Sequence, residues 1–95
     1  MHYLKEQNTL LVADTYNHKI KIVFPNNTIQ TIHGGASFGL EDGEQGLFSE
    51  PTGFASKFED GKYKIYVADS NNDCIRIILD GTVTTPLIKN VPKIL

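Results

Sequence analysis

The stretch Tyr66–Ile78, YVADSNNDCIRII, decides the fold, because its pattern also occurs earlier as Leu11–Val23, LVADTYNHKIKIV. Identical residues of the two stretches stand at one offset, 67 − 12 = 55. The first copy supplies Val12, Ala13, Asp14, Asn17, Ile20 and Ile22, and the second supplies Val67, Ala68, Asp69, Asn72, Ile75 and Ile77. The chain is therefore a tandem of two copies of one unit, which must stack to bury their faces.

Each copy begins with a short apolar run, Leu10–Ala13 in the first and Ile65–Ala68 in the second. A run of this length and composition predicts a strand that is covered on both faces. Turn-type residues follow the aspartate, and apolar and polar residues then alternate. The alternation predicts a half-exposed strand with the isoleucines pointing inward. The residues predicted to point outward are Lys19, Lys21 and Arg76.

Further strands are predicted on either side of each hairpin. In the first copy they are Met1–Leu4, which matches only the end of its counterpart, and Thr28–His33. In the second copy they are Phe54–Phe58 and Thr82–Leu87, with hairpin turns at Asp60-Gly61 and Asp80-Gly81. Four antiparallel strands joined by hairpins and followed by a long connection are the plan of a β-propeller blade.

The connection between the copies, residues 34–50, holds the five glycines Gly34, Gly35, Gly39, Gly43 and Gly46. So many glycines favour an irregular crossover loop over a helix. We expect Phe38, Leu40, Leu47 and Phe48 to pin this loop to the body of the protein. The predicted organisation is a blade over residues 1–33, the crossover 34–50, a second blade over 51–88 and a tail 89–95.

Composition excludes several classes of protein. The net charge is −2, with nine basic and eleven acidic residues, which gives no reason to expect a nucleic acid or an anionic membrane as partner. Cys74 is the single cysteine, so the chain has no internal disulfide and no cysteine-built zinc site. No apolar run approaches the roughly 20 residues of a membrane span. We predict a soluble protein of the cytoplasm.

With these features in place, the chain resembles the NHL repeats of β-propellers. The resemblance is carried by Gly34 and Gly35, by Phe48, Pro51 and Gly53, and by the YVADSNNDCIRII stretch. Within that family the pattern is similar to the closing blades of a member that also carries a thioredoxin-like domain. The resemblance implies two four-stranded blades of an all-β propeller, not a closed ring. Further blades of the same polypeptide, or other copies of the chain, would then complete the ring.

The polar residues of the repeat are predicted to be structural. Asp14 and Asp69 each end a strand and precede a turn, where a carboxylate can accept hydrogen bonds from backbone N–H groups. We interpret these two aspartates, with Asn17 and Asn72, as turn caps. His2, His18 and His33 lack the tight spacing of metal ligands, and Cys74 is interpreted as a small packing residue. We therefore predict no catalytic, metal or cofactor site, and no cofactor.

One rim of the propeller is the predicted functional surface. The turn after the second strand and the crossover should emerge together, and neither turn nor residues 34–50 contain Lys or Arg. Such a rim would repel the phosphates of RNA. The candidate protein-binding residues are Tyr16, His18, Glu41, Asp42, Glu44, Asn71 and Asp73, although they could simply be exposed turn residues.

The predicted function is a non-catalytic propeller segment that serves as a protein-interaction platform, for a partner that the sequence does not name. One alternative is a segment of a propeller enzyme, a lyase or hydrolase, whose site lies on other blades. A second alternative is an RNA-binding NHL propeller.

Overall fold

The computed structural model describes residues 1–35 and 37–86, and it places them in two four-stranded antiparallel sheets. The strands of the first sheet, in order across it, are β1 (His2–Leu4), β2 (Thr9–Asp14), β3 (Lys19–Val23) and β4 (Ile29–His33). The strands of the second sheet are β5 (Pro51–Glu59), β6 (Lys62–Asp69), β7 (Cys74–Leu79) and β8 (Thr82–Thr84). The predicted all-β fold of two blades that do not form a closed ring is confirmed for these residues.

The hairpin turns follow from their residues. In the first hairpin turn φ is 54° at Asp60 and 76° at Gly61, and in the second it is 52° at Asp80 and 76° at Gly81. Both residues of each pair therefore have the left-handed backbone conformation. Such pairs match the twist of the strands that they join. Three further tight turns are single 3₁₀ turns, at Lys5–Gln7, Thr15–Asn17 and Ser70–Asn72, and the turn between β3 and β4 is closed by the hydrogen bond from the Asn27 N–H to the Phe24 carbonyl at 2.9 Å.

Several predicted strand boundaries differ from those observed, and β5 and β8 show the difference clearly. The strand predicted over Phe54–Phe58 begins earlier, because Pro51 already pairs with Asp69 across a register shift between Pro51 and Gly53. The strand predicted over Thr82–Leu87 is observed as far as Thr84. Leu87, the predicted end of the second blade at residue 88 and the predicted tail 89–95 lie outside the described residues.

The core lies between the two sheets. Its buried side chains come from both blades and from the crossover, and they are Leu4, Leu11, Ile20, Phe48, Ile65, Val67, Ile78 and Val83. Full burial of a side chain of this size contributes about 1.5–3 kcal/mol. Polar contacts join the sheets beside this core: His2 Nε2 lies 2.6 Å from Ser56 Oγ, and the Glu6 N–H donates to the Tyr63 hydroxyl oxygen at 2.9 Å.

The predicted outward orientation of Arg76 is wrong. Arg76 and Ile78 are buried, whereas Ile75, which was predicted to point inward, is 39% exposed. In β3 the isoleucines do point inward, and Ile20 is fully buried. Strand β7 has apolar residues on both faces, so alternation alone does not show which face meets the neighbouring blade. No helix among residues 1–35 and 37–86 has the length and apolar character that crossing a membrane requires.

Candidate functional site

The crossover and the turns after β2 and β6 meet at one end of the sheets, which we call the crossover rim. The side-chain amide of Asn72 donates to the carbonyl of Gly39 at 2.8 Å, and the backbone N–H of Asn71 donates to the carbonyl of Ser49 at 3.1 Å. On the first blade, the rings of His18 and Phe38 pack edge to face, with centroids 5.6 Å apart. These contacts bring both turns to the crossover, as the sequence predicts.

Arg76 attaches the crossover to the second blade, and its side chain is 0% exposed. Its Nη1 donates to the carbonyl of Leu47 at 2.7 Å and to Asp69 Oδ2 at 2.8 Å. Its Nη2 donates to the carbonyl of Glu41 at 2.7 Å and to Asp42 Oδ1 at 2.9 Å. A planar guanidinium suits four acceptors arranged in this way, because its donors form a rigid fork.

Asp69 is the anionic partner at the centre of this contact. One carboxylate oxygen accepts the backbone N–H of Ser49 at 2.8 Å, and the other accepts from Asn72 and Arg76. Neither Asp69 nor Asp14 makes a side-chain hydrogen bond to the backbone of the turn that it begins. The predicted cap is therefore corrected: the Asp69 carboxylate holds the crossover, while Asn72 is its side-chain neighbour in the turn.

The crossover also extends the second sheet. Glu41 and Leu47 pair with each other through two backbone hydrogen bonds, which makes a short hairpin of the intervening residues. Gly43 at the tip exchanges two hydrogen bonds of 2.9 Å with Val83 on β8. The ring of Phe48 packs beneath Arg76, with the guanidinium carbon 4.8 Å from its centroid. The described part of the crossover thus contacts the second blade more extensively than the first.

The first blade carries the same polar motif in a different environment. Lys21 Nζ lies 2.9 Å from Asp14 Oδ2, and the Asn17 amide donates to Asp14 at 3.1 Å. The side chains of Lys21 and Asp14 are 33% and 27% exposed. The hydrogen bond from Lys21, supported by that from Asn17, lowers the pKa of the Asp14 carboxyl below its ordinary value.

The predicted rim residues fall into two groups. The first group forms hydrogen bonds within the fold. The Asp42 carboxylate accepts from Arg76 and Thr85. The Asn71 amide donates to Ser49 Oγ, and His18 Nδ1 accepts the backbone N–H of Glu50. The hydrogen bond from Thr85 is the main cause that lowers the pKa of Asp42. The second group consists of Tyr16, Glu41, Glu44 and Asp73, which are exposed like Asp42 and Asn71 but whose side chains make no hydrogen bond within the described residues.

Two apolar residues of the crossover are more exposed than expected. Phe48 is buried, as a pinning residue should be, but Phe38 and Leu40 are 65% and 58% exposed. They flank Gly39, whose carbonyl is held by Asn72, so the backbone is fixed here while both side chains reach solvent. Sequence reasoning missed these two residues as rim candidates. The available signal was their position beside a glycine in a loop with carboxylates.

One cleft and several further titratable groups also have distinctive environments. A cleft of ≈ 440 Å³ lies between the sheets, with an apolar floor that includes Leu11, Ile22 and Ile65. Lys62 at its edge is paired with Asp80 at 3.0 Å. Burial lowers the pKa of His33, and burial together with the nearby Asp69 raises the pKa of the Cys74 thiol. Over residues 1–35 and 37–86, no three His, Cys, Asp or Glu side chains are grouped as metal ligands.

Comparison with known proteins gives a consistent set of relatives. The chain is 39% identical over 83 residues to NHL repeat-containing protein 2 of Gallus gallus, a match that covers 78% of this chain and 10% of that protein. It is 37% identical over 78 residues to the Homo sapiens protein of the same name, with 78% of this chain and 10% of that protein covered.

A plant protein gives a similar match. Protein SUPPRESSOR OF QUENCHING 1, chloroplastic, of Arabidopsis thaliana is 39% identical over 72 residues, which cover 73% of this chain and 6% of that protein. No protein-family model matches the chain. The chain thus spans about a tenth or less of the length of the curated relatives that it matches.

Proposed function

Because the chain consists of repeat units of the NHL family, we propose that it forms part of a non-catalytic protein-interaction platform whose binding surface is the crossover rim. The exposed apolar side chains of Phe38 and Leu40, set beside the carboxylates of Glu41 and Glu44, carry this proposal. Apolar anchors with a polar surround are characteristic of protein-binding surfaces.

The charge of the rim defines the partner's chemistry. The exposed Glu41, Glu44 and Asp73 are negative, and residues 34–50 contain no Lys or Arg. A partner with Lys or Arg around an apolar or aromatic side chain would complement this surface. An RNA partner would place phosphates against carboxylates, so the same charges favour a protein partner.

We also propose that further blades complete the propeller, in the same polypeptide or as other copies of the chain. The outer face of the second blade supports this, because Ile75 and Leu79 on it are 39% and 42% exposed. The outer face of the first blade has Ile29 at 65% exposure. Exposed apolar sheet faces of this kind mark surfaces that a neighbouring unit covers. A thioredoxin-like domain in a longer parent, and a cytoplasmic location, stay predictions.

Selection of peptides by the immobilised chain tests the rim. A random displayed peptide library would be selected on the chain and then on a variant with Phe38→Ser, Glu41→Lys and Glu44→Lys. We expect enriched peptides to contain a basic residue near an aromatic or aliphatic one, and to lose binding to the variant. Phe58→Ser with Glu59→Lys, at the end of β5, is the matched control, because it replaces an exposed phenylalanine and a carboxylate away from the rim, and it should keep binding.

Three results would contradict the proposal. Peptides that bind the rim variant as well as the unchanged chain would place the interaction elsewhere. A salt-dependent shift of single-stranded RNA that is stronger than peptide binding would favour the RNA-binding alternative. A divalent cation held by side chains of this chain, detected by metal titration, would favour the enzyme alternative.

A further inference from the structure

The crossover contacts the second blade through an arginine and an aspartate, whereas two histidines of the first blade contact it on the other side. His18 Nδ1 accepts the backbone N–H of Glu50 at 3.0 Å. His33 Nδ1 lies 3.2 Å from the carbonyl oxygen of Gln45. An arginine keeps its charge at any physiological pH, but histidine changes charge between about pH 5 and 8. The contact with the first blade is therefore the one that a proton can alter in that range.

The two histidines hold their partners with opposite chemistry. A backbone N–H can only donate, so Nδ1 of His18 is unprotonated and the ring proton lies on Nε2. A carbonyl can only accept, so Nδ1 of His33 carries the proton. Uptake of a second proton places it on the free nitrogen, which is Nδ1 in His18 and Nε2 in His33. His33 can then keep its hydrogen bond, whereas His18 must lose the one that it accepts from Glu50.

The N–H that His18 accepts belongs to a residue in an unfavourable backbone conformation. Glu50 has a φ of 50°, in the left-handed region that a non-glycine residue rarely occupies. It also precedes Pro51, and the proline ring favours an extended conformation for the residue before it. The hydrogen bond to His18 is one of the contacts that hold this conformation. Without that bond, we expect Glu50 to move toward an extended conformation.

The same histidine supports an exposed side chain of the crossover rim. Its ring packs edge to face on Phe38, with centroids 5.6 Å apart, and Phe38 is 65% exposed. The counterpart of His18 in the second blade is Asp73, 73 − 18 = 55. The two residues have φ values of 59° and 54°, but Asp73 is exposed and lacks the imidazole. The contact is therefore a feature of the first blade and not of the repeat in general.

We propose that the crossover rim binds its partner in a proton-dependent manner, with His18 as the switch. Neutral His18 holds the Glu50 backbone and supports Phe38 at the surface. Protonated His18 releases the Glu50 N–H, removes the fixed support of Phe38 and adds a positive charge that opposes a basic partner. The switch presupposes the proposed function of the rim and adds its regulation. Binding should be tighter at about pH 7.5 than at about pH 5.5.

Several charged or titratable residues lie on the elements that adjoin His18. They are Asp14 and Tyr16 on its own turn, Lys19 at the start of β3, and Glu44 and Glu50 of the crossover. Asp14 is paired with Lys21, and the charges of Lys19 and Glu50 act on the ring with opposite signs. Carboxylates, tyrosines and lysines ordinarily titrate outside the range from about pH 5.5 to about pH 7.5. His18 is thus the group at this contact that we expect to respond.

Two neighbouring amides provide the first test, which needs no partner. Glu50 donates to His18, while Ser49 donates to Asp69 Oδ1 at 2.8 Å and reports any change in global stability. NMR hydrogen exchange at about pH 7.5 and about pH 5.5, corrected for the intrinsic exchange rates, measures the protection of both. We expect the protection of Glu50 to fall by at least about tenfold more than that of Ser49. Equal changes at the two amides would overturn the proposal.

Substitutions at His18 separate the switch from a general effect of pH. His18→Asn supplies an amide oxygen that can accept the Glu50 N–H without titrating, and asparagine tolerates a positive φ. His18→Gly also tolerates this conformation but supplies no acceptor. We expect Glu50 to be protected at both pH values in the asparagine variant and at neither in the glycine variant. A pH response of Glu50 that persists in the asparagine variant would contradict the switch.

His33→Gln is the matched control. It removes the other histidine that contacts the crossover, whose hydrogen bond does not depend on a free Nδ1. The variant should therefore keep the pH response of Glu50 relative to Ser49. Loss of that response would assign the titration to His33 and overturn the role of His18.

The second test measures binding of a peptide that was enriched on the unchanged chain and contains no histidine. Its Kd should rise by at least about tenfold from about pH 7.5 to about pH 5.5, and by less than about twofold for His18→Asn. A rim peptide that binds the unchanged chain equally at both pH values would contradict the switch alone. Failure to enrich any peptide that depends on the rim would contradict the proposed function, so the two failures are distinguishable.

Discussion

The two blades carry the same aspartate, asparagine and cation, yet the second buries them and the first leaves them partly in solvent. Asp69 and Arg76 are 0% exposed, while Asp14 and Lys21 are 27% and 33% exposed. The difference comes from the crossover, which contributes three carbonyls, one carboxylate and one backbone N–H to the second set. We therefore expect the repeated residues to contribute strongly to the free energy of unfolding only where a neighbouring segment supplies their remaining hydrogen-bond partners.

The largest expected difference between the blades is at the cation. Arg76→Met removes one partner of a buried ion pair and leaves Asp69 uncompensated, so we expect a loss of about 3–5 kcal/mol in the free energy of unfolding. Lys21→Met, its counterpart at the partly exposed pair, should change that energy by no more than about 1 kcal/mol. Urea denaturation followed by circular dichroism measures both. Similar losses for the two variants would contradict the comparison.

The next difference is at the edge strands. Val83→Ala removes two buried methyl groups at about 0.8 kcal/mol each and leaves a cavity under the crossover, so we expect a loss of about 2 kcal/mol. Ile29→Ala, at the equivalent exposed position, should stay within about 0.5 kcal/mol. Thermal unfolding of the two variants side by side provides the check. An Ile29 variant that loses as much as the Val83 variant would show that the first face is covered.

The smallest expected effect is a pH dependence at the joint between the first blade and the crossover. His33 is buried there, with Nδ1 3.2 Å from the carbonyl of Gln45, and burial lowers its pKa below the ordinary 6.5. The unfolded chain then takes up a proton at higher pH than the folded chain. Stability should be full above about pH 6.5 and fall as the pH drops toward the folded-state pKa.

Urea midpoints measured on both sides of that window test the histidine. His33→Gln cannot titrate, so its midpoint should change less between about pH 7.5 and about pH 5.5 than that of the unchanged chain. Asp14 and Asp42, whose pKa values are lowered from 3.8, contribute only at lower pH. A variant that keeps the full slope would assign the pH dependence to another group.

The sequence predicts the repeat, the four strands of each blade and the position of the rim, because these depend on periodicity and on local turn chemistry. Asp60-Gly61 and Asp80-Gly81 specify their hairpins through residues that accept positive φ. The 55-residue offset identifies the equivalent strands without any knowledge of packing. Turn residues and a repeat offset can be recognised in the sequence whatever the packing around them.

The role of Arg76 could not be predicted in this way. An arginine in a strand of alternating apolar and polar residues normally faces water. Arg76 is buried because the carbonyls of Leu47 and Glu41, which are distant in sequence, accept its hydrogen bonds. The exposure of Phe38 is the opposite case, because an apolar residue in a loop was expected to pack. The burial of Arg76 and the exposure of Phe38 both depend on how the crossover packs on the second blade. The periodicity of the sequence does not predict that packing.

The account depends most on the claim that the crossover belongs structurally to the second blade. Native-state hydrogen exchange at the amides of Gly43, Ser49 and Val83, compared with that of Ile29, measures this claim. We predict that the first three exchange only through global unfolding, because they donate to Val83, Asp69 and Gly43 inside the fold, and that Ile29 exchanges sooner. Exchange of the crossover amides as fast as that of Ile29 would contradict the account.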